Sequence, residues 1–204
     1  MSEAVLWDYP KSSASYRVRI ALHLAKVTFT VKRVDLLQGA QKSPAHMKRN
    51  PQGLVPVLDI DGHRFTQSLA ILEYLDTTRD LGLLPECPVL RARVQALAHA
   101  IAVDIHPVCN LSVMRQATGG EEPARTDWMR HFIRPGLVAF ESLLETFEGG
   151  AYCVGATPML PDLCLMPQLY NARRWGIGYD DLSGIKRAEA VCEKHPAFVQ
   201  AAPS

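Results

Sequence analysis

The sequence predicts an α/β domain followed by an all-helical domain. Up to residue 78, short runs rich in β-branched residues alternate with helical runs; beyond residue 88, strand-like runs nearly vanish. Between the two lies Leu83-Leu84-Pro85-Glu86-Cys87-Pro88, where two prolines break any helix. The expected domains are therefore residues 1–84 and 85–204.

Residues 4–9 read as a strand, and residues 13–26 as a helix with Val18, Ala21, Leu22 and Ala25 at three- and four-residue spacings. Residues 28–34 and 55–60 are β-branched runs, with an unassigned helical stretch between them. Asp61-Gly62 fits a tight turn into residues 63–66, which predicts a hairpin. Residues 67–78 are helical, with Leu69, Leu72 and Leu75 on one face. The order β-α-β-(α)-β-β-α implies a mixed four-stranded sheet with helices packed on it. In the second half, helical spacing covers residues 89–116, 125–147, 161–175 and 184–195, punctuated by glycines at 119–120, 149–150 and 176–178.

Composition narrows the function classes. In 204 residues, 22 Lys+Arg face 21 Asp+Glu, and 48% of residues are hydrophobic. Disorder is excluded, and no basic excess suggests a nucleic-acid partner. No apolar run approaches the ~18–20 residues of a membrane span, and residues 1–11 lack a basic n-region followed by an apolar core. The five cysteines are odd in number and lack C-x-x-C spacing, which argues against a disulfide scaffold and a zinc site. Asp104 and His106 are two residues apart, on different helix faces, so they do not suggest a metal site either. A cytoplasmic protein with reduced thiols is expected.

Two stretches could carry chemistry. The first is Lys11-Ser12-Ser13-Ala14-Ser15-Tyr16-Arg17, at a strand-to-helix junction. Serines there are good N-caps. The same N–H groups, helix dipole and hydroxyl also form a cradle for an anion such as a thiolate. The second stretch is residues 50–58, followed by Thr66-Gln67-Ser68. Pro56 opens a strand, with a backbone edge before it suited to a peptide-like ligand. Gln67 and Ser68 begin another helix, where capping and carboxylate binding are again both open. Together these features suit a small anionic peptide bearing a thiol.

Five motifs then fall in register. The stretch Ser12 to Leu22 matches S-S-C-x-W-R-V-R-I-A-L; residues 50–58 match N-P-x-x-x-V-P-x-L and residues 67–75 match Q-S-L-A-I-x-E-Y-L. Residues 107–112 match P-x-x-N-L-S, and Y-C-V-G with D-L-C-L-x-P-Q occupies residues 152–155 and 162–168. On these the chain resembles, over essentially its whole length, the zeta class of glutathione transferases, which contains the maleylacetoacetate isomerases. The resemblance implies a thioredoxin-like N-terminal domain with a C-terminal helical bundle, a homodimer, glutathione as cofactor and a small anionic diketo-acid substrate. It implies catalysis by thiolate addition, bond rotation and elimination.

Carried over by motif, Ser12 stabilises the glutathione thiolate with Ser13 beside it, and Ala14, Ser15, Tyr16 and Arg17 complete that stretch of the cofactor site. Val55 holds the cysteinyl backbone beside a cis Pro56, Gln67 and Ser68 hold the γ-glutamyl carboxylate, and Gln41 lies near the glycyl end. Asn110, Leu111 and Ser112 match a patch beside the thiol, and Arg174 a basic position near the substrate. Lys11 and His106 join them as candidate catalytic groups.

The chain departs from the pattern at several positions. Ala14 replaces the signature cysteine, Lys11 stands where relatives often have Arg, and His106 where some have Gln. Met159 replaces the Ser or Thr that caps the helix before Asp162, a loss of ~1 kcal/mol. A maleylpyruvate isomerase or general glutathione transferase is the neighbouring alternative, and a non-catalytic glutathione-binding scaffold a third. Maleylpyruvate enzymes tend to carry arginines after the Asn of the N-L-S patch, where this chain has Leu111 and Ser112.

Overall fold

The computed structural model describes residues 4–203, which form two compact units. The first comprises residues 4–81 with 196–203 and the second residues 82–195.

In the first unit, β1 (Ala4–Asp8) leads to α1 (Ser13–Leu24) and back to β2 (Phe29–Arg33). A 3-10 turn (Ala40–Lys42) and α2 (Pro44–Met47) precede β3 (Val57–Ile60), β4 (His63–Thr66) and α3 (Ser68–Arg79). The strand order is β2-β1-β3-β4. β1 and β2 are parallel, with Leu6 opposite Val31, while β3 runs antiparallel to both β1 and β4. This is the mixed four-stranded sheet expected. α1 stops earlier than expected: Lys26 has φ +53°, and the Val27 N–H returns to the Leu22 carbonyl, a left-handed helix end. Its buried face carries Val18, Ile20, Ala21 and Leu22 beside Ile71, Leu72 and Leu75 of α3.

The second unit contains α4 (Pro88–His99), a π-helical turn (Ala100–Ile105), α5 (His106–Val108), α6 (Leu111–Thr118), α7 (Ala124–Leu144), α8 (Leu160–Arg174) and α9 (Ser183–Cys192). The single helix expected over residues 89–116 is thus interrupted. Pro107 cannot donate to a carbonyl one turn back, so the ladder widens into the π turn before it. It then breaks at Cys109 and Asn110, where the Trp128 indole N–H donates to the Val108 carbonyl at 2.9 Å. α7 passes this region at Gly136, where a Cβ would collide with the Ile105 side chain.

The chain's end differs from the sequence expectation. α10 (Pro196–Ala201) belongs to the first unit rather than to the helical half, because Ala197, Phe198 and Ala201 bury their side chains where α10 packs on α1. Nothing local in six residues dictates that choice. Among the described residues, no single helix is long and apolar enough to cross a membrane.

Candidate active site

The turn from β1 into α1 places Ser12 in extended backbone, φ −77° and ψ 119°. Its N–H donates to the Tyr9 carbonyl at 2.9 Å, and its Oγ accepts the Ser15 N–H at 3.2 Å. A serine hydroxyl has two acceptor positions and one proton. Capping uses an acceptor position and leaves the proton to donate. The two roles left open for Ser12 are therefore compatible: one oxygen closes the helix and can still hold an anion. No acidic residue stands in the first turn of α1 to compete. Ser12, Ser13 and Ala14 are half-buried and Lys11 is exposed, while Ser15, Tyr16 and Arg17 face inward, at 0, 5 and 2% exposure.

The second element is the edge before β3. The Val55–Pro56 peptide is cis, as is Glu122–Pro123 elsewhere. Ladder pairing of β3 begins only at Val57, so Val55 stands outside the sheet pairing. The preceding loop is held from behind: the Leu54 carbonyl accepts from His46 Nε2 and from Asn50 Nδ2, each at 2.9 Å. Asn50 Oδ1 in turn accepts the Gln52 N–H at 3.1 Å. The Arg49 guanidinium stacks 3.6 Å from the Trp7 ring centroid, pinning the segment to the sheet.

The third element is the start of α3. Gln67 has φ +66° and ψ 110°, unusual for a residue with a side chain. Its side chain caps nothing and instead donates to Gln52 Oε1 at 2.8 Å. Ser68 Oγ accepts from the buried Arg17 Nε at 3.1 Å, so a guanidinium lies beside this helix end. α3 also has no acidic residue in its first turn. In the 3-10 turn, Gln41 Oε1 is buried with no hydrogen-bond partner among the described residues.

In the second unit, half-buried His106 opens α5, and Asn110 starts α6 without a side-chain cap bond. Leu111 is half-buried and Ser112 exposed. On α8, Arg173 is committed to Glu189 at 3.0 Å and Glu193 at 2.8 Å. Arg174, the residue singled out from the sequence, is exposed, 5.9 Å from the Tyr170 ring centroid. Cys109, beside Asn110, is 9% exposed, and burial pushes its thiol up to about 12, which leaves it protonated and unreactive.

Residue types and spacing did not reveal the roles of His46 or Gln52. Asn50 had a signal, since Asn before Pro favours a local side-chain turn. For the others the contacts are made between segments.

The profile of the family "Glutathione S-transferase, N-terminal domain" matches residues 2–77. The chain is 52% identical to the maleylacetoacetate isomerase of Rhizobium meliloti (strain 1021), over 99% of this chain and 97% of that protein. Among solved structures, it is similar to a holo maleylpyruvate isomerase, a bacterial zeta-class glutathione S-transferase, with a TM-score of 0.93, 36% identity, and 98% and 96% of the two chains covered. It is also similar to the maleylacetoacetate isomerase of Anaeromyxobacter dehalogenans 2CP-1 with glutathione bound in its active site, with a TM-score of 0.88, 36% identity, and 98% and 95% coverage. With a thioredoxin-like domain, a helical domain and this degree of identity, the chain belongs to the maleylacetoacetate isomerase family, in the zeta class of the glutathione transferases.

Proposed function

We propose that this chain is a glutathione-dependent cis-trans isomerase that converts maleylacetoacetate to fumarylacetoacetate, working as a cytoplasmic homodimer. The observation that carries this reading is the Ser12 hydroxyl, which caps an acid-free helix end and retains a proton to donate.

The first unit offers a counterpart to each polar part of glutathione. Ser12 and the α1 end suit the thiol, and the unpaired edge at Val55 and Pro56 suits the cysteinyl backbone. Ser68 and Gln67, backed by Arg17, suit the γ-glutamyl carboxylate, and the unpartnered Gln41 oxygen suits a donor near the glycyl end. Bound glutathione supplies a sulfur nucleophile that adds to the substrate double bond and leaves after rotation. This chain's residues do the rest. The Ser12 O–H donates to the sulfur and favours its anion, with Ser13 and Ala14 forming the adjoining wall. Gln67 and Ser68 present their backbone N–H groups and the positive helix end to a carboxylate. Lys11 and Arg174 supply cations for the substrate's carboxylates, Lys11 as a point charge and Arg174 as a fork. His106 is assigned a proton-donating position, and Asn110, Leu111 and Ser112 the wall beside the thiol. Ser15 and Tyr16 support the start of α1 from the buried side.

Leu111 and Ser112, together with 52% identity to a maleylacetoacetate isomerase over nearly the whole chain, favour maleylacetoacetate over maleylpyruvate as substrate. The test is a side-by-side assay of both substrates, each with and without glutathione. Faster turnover of maleylacetoacetate, and only with glutathione, is expected. Equal rates without glutathione would sink the cofactor role, and faster turnover of maleylpyruvate would reassign the substrate. Light scattering of the purified protein checks the homodimer.

A further inference from the structure

We infer that Arg19 is a positioning residue for Ser12, and that the C-terminal helix α10 is part of the same brace; this rests on the thiolate-holding role proposed for Ser12. Arg19 lies in α1, 7% exposed. One guanidinium binds three separate pieces of chain. Nη1 donates to both oxygens of Asp8, at the end of β1, at 2.9 and 2.8 Å. Nη2 donates to the Pro10 carbonyl at 3.0 Å, and Nε to the Ala201 carbonyl, at the end of α10, at 2.8 Å.

The consequence falls on the turn that carries Ser12. That turn is closed locally by the Ser12 N–H on the Tyr9 carbonyl. Arg19 fixes it at two further points, Asp8 before it and Pro10 within it, and proline holds its own φ. The Ser12 hydroxyl is thereby referenced to the sheet on one side and to α10 on the other. The two parts differ in distance along the chain: Pro10 is nine residues from Arg19, Ala201 is 182. A buried ion pair is in general a weak source of stability compared with apolar packing. What a planar, rigid fork with three donor nitrogens supplies is direction. The ammonium of a lysine keeps the charge but has one nitrogen, and cannot take the place of three that reach Asp8, Pro10 and Ala201 separately.

The experiment titrates the thiol of glutathione bound to the full-length protein, by the ultraviolet absorbance of the thiolate, alongside the pH profile of kcat/KM for isomerisation. Arg19→Lys is expected to move the acid limb to higher pH by about one unit, which lowers kcat/KM about tenfold below that limb, with a smaller change in KM for glutathione. Phe198→Leu loosens the seat of α10 without touching Arg19, and is expected to shift the limb in the same direction by less. Leu144→Ala, a core change in the second unit, lowers stability and leaves the limb in place. Arg19→Lys with lowered stability and an unmoved limb would overturn the inference; if that variant does not fold, an unmoved limb in Phe198→Leu does so. Ser12→Ala separates the two levels. If it leaves the thiol titration unchanged, the proposed role of Ser12 fails. If it shifts the titration while Arg19→Lys does not, only the brace fails.

Discussion

The starts of α1 and α3 in the first unit and of α8 and α9 in the second handle the same physical problem in opposite ways. Every helix begins with backbone N–H groups that its own ladder cannot satisfy. In the second unit two of these ends, those of α8 and α9, are closed by carboxylates of the protein itself. At α8, the Leu160 N–H goes to the Leu83 carbonyl, and Asp162 takes the N–H of Met159 at 2.9 Å and of Cys153 at 2.8 Å. At α9, Glu141 reaches across from α7 to take the N–H groups of Gly184 and Ile185, at 2.6 and 2.8 Å. In the first unit, α1 is capped by a hydroxyl alone and α3 by no side chain. A carboxylate at a helix start makes it structural; its absence leaves positive potential for a ligand's anion. The reciprocal cap expected to suffer at Met159 is present in both halves: Asp162 takes the Met159 N–H, and the Met159 side chain, a weak sulfur acceptor in place of a hydroxyl, takes the Asp162 N–H.

The contrast is sharpest where an open end is closed by substitution. Ser12→Asp preserves capping ability, so thermal unfolding shifts little, but it sets a negative charge where the thiolate must sit. A loss of about a hundredfold in kcat/KM is expected, the scale for removing one aligned donor, and full activity in this variant would show that α1 is not the anion site. The converse change opens a closed end. Asp162→Ala strands two backbone N–H groups at a fully buried position and is expected to cost about 3 kcal/mol in denaturant unfolding. Its glutathione KM should stay unchanged.

Gln67→Gly probes the strained start of α3. Relief of a left-handed backbone is worth about 1 kcal/mol of stability, whereas loss of the side chain that meets Gln52 should raise the glutathione KM; a destabilised variant would contradict that assignment of strain. Stability also depends on pH through Asp162. Burial pushes the Asp162 carboxyl up to about 6, with the N–H groups of Cys153 and Met159 opposing the rise. The folded state then binds its proton more tightly than the unfolded chain, so this group stabilises fully below the ordinary carboxyl range and less as pH climbs through 6. Relative to Asp162→Asn, the native chain should lose stability between pH 4 and 6, at no more than about 1.4 kcal/mol per pH unit, the slope for one proton. An opposite slope would mean that the carboxylate, not the acid, is the form the fold prefers.

Cysteine placement fits the same division. Cys87 is exposed, while Cys109, Cys153, Cys164 and Cys192 are buried. A thiol reagent should therefore modify one cysteine in the native protein and the other four only on unfolding. The proposed chemistry uses none of them, since Ala14 occupies the signature position and the working sulfur arrives with the cofactor.

By itself, the sequence determined what depends on near neighbours. The alternation of β-branched and helical runs, the Asp61-Gly62 turn, the serine cap at α1 and the start of α3 at Gln67 and Ser68 are all local in cause, and they appear within a few residues of where they were expected. The tertiary structure decided what depends on closure over long stretches of chain. Pro107 could be read as a disturbance, but not as the π turn that α7 accommodates at Gly136. Gln52 meets Gln67 across 15 residues, Arg17 meets Ser68 across 51, and Arg19 meets Ala201 across 182. Residues 196–201 carry no local mark that they return to the first unit. Propensity and capping act within a turn or two of helix, whereas a buried guanidinium takes its acceptors from whichever segments packing brings to it.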